Sequence, residues 1–235
     1  MKVEQLVILL IPIALWSCND KTNLLFPPTA DSDALIQTQP LSIEEIKQLD
    51  SVNIDFQFRG SCFAFSSPEN AEKTHGAYQS YNLPKKIDKS FPKNELYLTI
   101  NQYDFSRIDS TFLGCKLYLA NTTDTILELL ACDSRIDIVA EALNEKNKWA
   151  PISYLPSSWC GNSYHTIKLD KNEYWSFDIP IFKGNMKTKL RYVLILDEDY
   201  KIISNEIETF LNKEQFAQEK KQGHKSNNLM DPYID

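Results

Sequence analysis

The chain has 235 residues, 43% of them hydrophobic and 24% charged, which is a globular rather than a disordered composition. Its 25 Lys and Arg stand against 32 Asp and Glu, a net charge of -7. That balance is the wrong sign for a phosphate-neutralising face, so nucleic acid is not an expected partner. With only 6 Gly, no Walker, dinucleotide-binding or nucleophile-elbow motif can be written, and no cofactor is expected.

Residues 1–17 read as an export signal. Lys2 opens them, Leu6 to Leu15 form an apolar run, and Trp16-Ser17-Cys18 follow. Ten residues of helix cover roughly 15 Å, half the hydrocarbon core, and Pro12 interrupts them, so the run fits a cleavable signal peptide better than a spanning helix. The tetrad Leu15-Trp16-Ser17-Cys18 resembles the lipobox of bacterial lipoproteins, with an aliphatic residue three before the Cys and a small one directly before it. Trp16 is bulkier than that pattern's usual residue, and Glu4 halves the charge of the leading segment. The resemblance implies cleavage before Cys18, a diacylglycerol on its thiol and a further acyl chain on its amine. Two or more acyl chains give stable anchoring.

Residues 18–52 read as a tether with a short helix. No sustained apolar period runs through residues 19–41, and a flexible chain of that length has an end-to-end distance of roughly 25 Å. Ser42-Ile43-Glu44-Glu45 then has capping-box spacing, with Ile43, Ile46 and Leu49 on one face of a helix expected over 43–49. Residues 53–93 hold one alternating stretch, Ile54, Phe56 and Phe58, followed by an irregular segment. Residues 94–212 carry most of the strands: Leu96, Leu98 and Ile100 alternate, as do Leu113, Cys115, Leu117 and Leu119. Further strands are expected at 126–132, 135–142, 148–154, 164–169, 174–179, 187–196 and 200–208. Eight to ten strands, separated by Asn- and Asp-rich turns, predict an all-β, antiparallel two-sheet sandwich. Residues 213–235 read as a short helix running into a polar tail.

The segments Leu117 to Asn121, Trp149-Ala150-Pro151-Ile152, Trp159 to Tyr164, Leu169 to Pro180, Lys187 to Arg191 and Ser204-Asn205-Glu206 together resemble a group of uncharacterised Gram-negative bacterial lipoproteins with immunoglobulin-like sandwiches. The resemblance covers roughly residues 94–216. It implies an immunoglobulin-like fold and an envelope location, facing either the periplasm or the surface, and it implies no activity.

Four cysteines remain after Cys18: Cys62, Cys115, Cys132 and Cys160. They allow three pairings; Cys132 with Cys160, both at expected strand ends or turns, is the preferred one. Cys115 lies on the apolar phase of its strand and reads as a buried thiol. Gly60-Ser61-Cys62-Phe63-Ala64-Phe65 resembles the nucleophile segment of papain-like cysteine peptidases, which would place a thiolate at a helix N-terminus beside a His. However, Arg59 stands where that family has its first Cys and Phe56 where it has the oxyanion Gln. Pro68 interrupts the expected helix, and residues 192–212 contain no His. The chain is therefore not read as an enzyme. No metal site is expected from the scattered His75, His165 and His224.

Lys187, Lys189 and Arg191 share one phase of a strand and would face an acidic glycan or a partner's carboxylates, unless Glu206 and Glu208 pair with them across the sheet. Trp159, beside a turn, is the aromatic residue best placed to face a ligand, whereas Trp175 alternates with Phe177 and Ile179 and reads as core. The sequence thus predicts a membrane-anchored, non-catalytic binding or structural module of the cell envelope with a protein or glycan ligand. An inhibitor or immunity-type lipoprotein masking a protein partner is the alternative.

Overall fold

The computed structural model describes residues 40–71, 77–88, 91–156, 158, 160–197 and 199–217. In chain order its elements are helix α1 (Ile43–Ile46) and strands β1 (Phe58–Arg59), β2 (Lys85–Lys86), β3 (Leu96–Ile108), β4 (Phe112–Asn121), β5 (Leu127–Cys132), β6 (Arg135–Ile136) and β7 (Ile138–Leu143). There follow β8 (Trp149–Pro151), β9 (Ser153–Tyr154), β10 (Tyr164–Leu169), β11 (Glu173–Pro180), β12 (Met186–Ile195), β13 (Lys201–Ile203) and β14 (Ile207–Leu211). No helix among the described residues is long and apolar enough to cross a membrane.

The protein is an all-β sandwich. One antiparallel sheet has the order β2-β11-β4-β3; another has β13-β12-β7-β8, with β14 also on β12; a third has β10-β5-β6. Arg135–Ile136 and Ile138–Leu143 nearly form one strand. At Asp137 it changes partners, its carbonyl accepting from Ile195 N–H while Ile136 N–H donates to Cys62.

Period-two alternation carries the packing. Leu98, Ile100, Cys115, Leu117, Leu119, Trp175, Phe177 and Ile179 from the first sheet meet Leu129, Ile136, Ile138, Ala140, Ile167, Leu190, Tyr192 and Leu194 from the other two in one core. β4 is covered on both faces, because Tyr118 and Ala120 pack with Tyr174 beneath Ile87 and Phe91. Ile87 and Phe91, from the segment that looks irregular in sequence, therefore cover this part of the outer face of β4.

Tight hairpins without glycine join the strands. Asp133 and Ser134 both have positive φ (49° and 63°), the conformation of a two-residue loop between Cys132 and Arg135. Asp109 and Ser110 also have positive φ, in the three-residue loop 109–111 between Ile108 and Phe112, and Asn147 and Asn172 supply single left-handed positions. Asn and Asp thus do the turn work expected of them.

Three expectations change on contact with tertiary structure. The capping box forms, Ser42 N–H and Oγ donating to Glu45 and Glu45 N–H to Ser42 Oγ, but the helix stops at Ile46 and leaves Ile43 67% exposed. The chain is instead drawn into bridges from Asp50 to Phe112 and Val52 to Phe182. The alternation at Ile54, Phe56 and Phe58 breaks at Gln57, which is buried with Nε2 donating to the Pro151 carbonyl, so only Phe58–Arg59 form a strand. That strand pairs with β9 in parallel. Finally, Val52, Ile54, Phe58, Cys62, Ala64 and Phe65 belong to the same core as the later strands, so packing does not break at residue 94.

Candidate functional site

Among the described residues, one concave surface feature begins with an irregularity in β3. Its register against β4 runs from Leu96–Asn121 to Asn101–Lys116, then resumes at Phe105–Cys115, leaving residues 102–104 without partners in β4. Such a bulge re-aims side chains. Here it turns Tyr103 outward to 78% exposure, while Asn101 Oδ1 accepts from the Tyr103 N–H at 3.2 Å and fixes the loop.

A second segment closes over the same edge. Ser204-Asn205-Glu206 separates β13 from β14, and Asn205 reaches the first sheet. Its Oδ1 accepts from Ile100 N–H at 2.7 Å and from Thr99 Oγ1 at 3.1 Å, while its Nδ2 donates to the Ile100 carbonyl at 3.1 Å. The amide imitates one rung of a neighbouring strand. Between the bulge and this stitch lies a groove of about 730 Å³, lined by Phe91, Tyr97, Tyr103, Tyr118, Asn101, Gln102, Asn205, Glu206 and Glu208 among others.

The groove floor is held by an aromatic cluster. The Phe91 ring centroid lies 6.2 Å from those of Tyr97 and Tyr118, and Tyr118 lies 5.7 Å from Tyr174. Tyr118 Oη donates to Asp104 Oδ2 and Tyr174 Oη to Asp88 Oδ1. Burial first, and then these carboxylates, push both phenols above their ordinary pKa, so both are neutral donors at physiological pH. Among the described residues no Lys or Arg lines the groove, and its titratable rim is carboxylate.

The expected basic stripe lies beside this groove and is paired. Lys187 Nζ is 3.0 Å from Glu208, Lys189 Nζ is 2.8 Å from Glu206, and Arg191 Nε and Nη2 are 2.9 and 2.7 Å from Glu141 Oε2. The Arg191 guanidinium also sits 4.0 Å over the Trp149 ring. Hydrogen bonding to Glu206 holds the Lys189 pKa above its usual value. The stripe is therefore a cross-strand charge ladder, and its two outer carboxylates form part of the groove rim.

Other candidate residues are not brought together. Cys18 and Trp159 lie outside the described residues, as do His75 and His224. Cys132 and Cys160 are free thiols, one buried at the end of β5 and the other exposed before a 3-10 turn, so the expected disulfide is not made in this structure. Cys62 is 4% exposed, and burial pushes its thiol up to about 12, the reverse of what a thiolate nucleophile needs. His165 is buried, 3.4 Å from Ser134 Oγ and 3.3 Å from the Ser163 carbonyl. Among the described residues no group of three or more His, Cys, Asp or Glu could hold a metal ion.

These thiols give a direct test. In a Cys18→Ala protein at neutral pH, Cys160 is expected to react promptly with a disulfide reagent, and Cys62 and Cys115 only on unfolding. Burial pushes Cys115 up to about 12 as well. Because the folded chain holds both protons while the unfolded chain releases them near pH 8.5, their contribution to stability is complete below that pH and falls as pH rises toward 12. Rapid native-state labelling of Cys62 would contradict this reading.

No known family model, curated protein or solved structure matches the chain. The comparisons therefore assign no role to Tyr103 or Asn205. Their sequence signals are local: the apolar phase shifts from Ile100 to Phe105, and Ser204-Asn205-Glu206 breaks the last β run.

Proposed function

We propose that the protein is an exported lipoprotein, anchored through acylated Cys18, whose immunoglobulin-like sandwich is a non-catalytic binding module of the cell envelope, with the groove at the β3 bulge as its ligand-facing surface. The observation that carries the anchoring is the tetrad Leu15-Trp16-Ser17-Cys18, whose Leu15 closes a ten-residue apolar run and whose Cys18 precedes a long polar segment. The groove supports the binding role: a concave surface with aromatic and amide side chains, fixed by hydrogen bonds from two sheets, is how a rigid scaffold presents contacts without chemistry. The buried, protonated thiol of Cys62 supports a non-catalytic role over a peptidase-like one.

Fractionation of cells expressing the wild type and Cys18→Ala tests the anchor. The wild type is expected in membranes, released only by detergent, and the variant in the soluble fraction or medium. Unchanged membrane retention of Cys18→Ala would overturn the lipid anchor. Protease treatment of intact cells then assigns the face: digestion of the wild type places the domain outside, and protection until lysis places it in the periplasm.

A further inference from the structure

We infer that the groove beside the β3 bulge binds an uncharged saccharide, with Tyr103 as its stacking platform; this rests on the binding-module reading above.

Three observations select that ligand class. First, Tyr103 is a large aromatic side chain 78% exposed at the mouth of a groove, on a bulge pinned by Asn101. Exposing it has no packing benefit, and its flat face suits the apolar C–H face of a sugar ring. Second, the polar lining joins the Thr99 and tyrosine hydroxyls to amides and carboxylates: Asn101 and Gln102 at the bulge, Asn205, Glu206 and Glu208 opposite. Each carboxylate has more acceptor positions than one lysine uses, so the rim can accept from ligand hydroxyls while it pairs with Lys189 and Lys187. With no cation among the described residues that line the groove, and Lys187 and Lys189 already engaged by the rim carboxylates, the lining offers an acidic glycan or a phosphate no free counter-charge. Third, a peptide cannot add as a strand where the groove meets β3, because the Ile100 N–H and C=O are both occupied by Asn205 and the next three residues are bulged out of the ladder.

The test uses full-length protein in a polyoxyethylene detergent, free of sugar headgroups, on an array of neutral and acidic glycans, followed by calorimetry with the best neutral oligosaccharide. A neutral glycan is expected to bind. Tyr103→Ala should weaken it by about tenfold or more, Tyr103→Phe should bind nearly as the wild type does, and both variants should keep the wild-type melting temperature. Absence of any neutral glycan signal, preference for acidic glycans, or binding unchanged in Tyr103→Ala would each overturn the saccharide assignment. A photo-crosslinker at position 103 separates that failure from failure of the wider reading. Crosslinking to a protein in cells would reject the saccharide yet keep the groove as a binding surface, whereas neither glycan nor crosslink would reject both.

Discussion

Trp175→Ala is expected to lower the unfolding free energy by about 4 kcal/mol, within the range for truncating a buried aromatic side chain. The side chain is fully buried on β11, where it is paired with Leu119 of the central strand β4. Truncation leaves a cavity in a layer that cannot collapse, because β4 is packed on both faces. It also removes the bond from Nε1 to the Phe65 carbonyl at 3.1 Å, which ties the N-terminal segment to β11. A buried carbonyl without a donor costs about 1–3 kcal/mol. Trp175→Phe restores much of the ring but not the donor and should fall between wild type and Ala. Urea titration of the three proteins measures this. A loss under about 1.5 kcal/mol for Trp175→Ala would contradict the core described.

Gly184→Ala is expected to cost about 3 kcal/mol, by crowding rather than by a cavity. A Cβ on Gly184 would stand 2.2 Å from the Leu211 carbonyl carbon, 2.4 Å from its oxygen and 2.7 Å from Asn212 N. All three are backbone atoms, so no rotamer change relieves the overlap. Relief requires β14 to move away from the start of β12, where Met186 pairs with Leu211 and the latter is fully buried. Gly161→Ala serves as the control, since no atom lies within 4 Å of the place its methyl group would take. Equal melting temperatures for the two variants would show that the close approach of Gly184 to Leu211 is wrong.

Where alternation was uninterrupted, the strands were legible in the sequence. The run at 164–169 coincides with β10, and 174–179 and 187–196 fall within a residue of β11 and β12. Trp175 and Cys115 are buried as their phase predicts. Legibility failed where tertiary contacts override local pattern. Gln57 is buried because the Pro151 carbonyl receives its amide, which no apolar pattern records. β3 continues to Ile108, beyond the alternation that ends at Ile100, because the bulge shifts the phase by an odd number of residues and so conceals the strand's second half.

The candidate site was less legible for the same reason. Lys187, Lys189 and Arg191 stood out as a charged phase, but a charge ladder and a binding stripe share one sequence pattern. Only the placement of Glu206, Glu208 and Glu141 opposite them separates the two. Tyr103 sits among polar residues that resemble an ordinary loop, and its exposure follows from the bulge. Asn205 closes a rung on Ile100, 105 residues earlier in the chain, a contact that sequence separation hides entirely.

We propose that a folded β-sandwich is held at a membrane through acylated Cys18. Mass spectrometry of the N-terminal peptide from protein purified out of membranes tests it most directly. The expected result is a mature chain beginning at Cys18 and carrying the mass of a thioether-linked diacylglycerol plus an amide-linked acyl chain. A mature chain that begins elsewhere, or an unmodified Cys18 in membrane-derived protein, would contradict it.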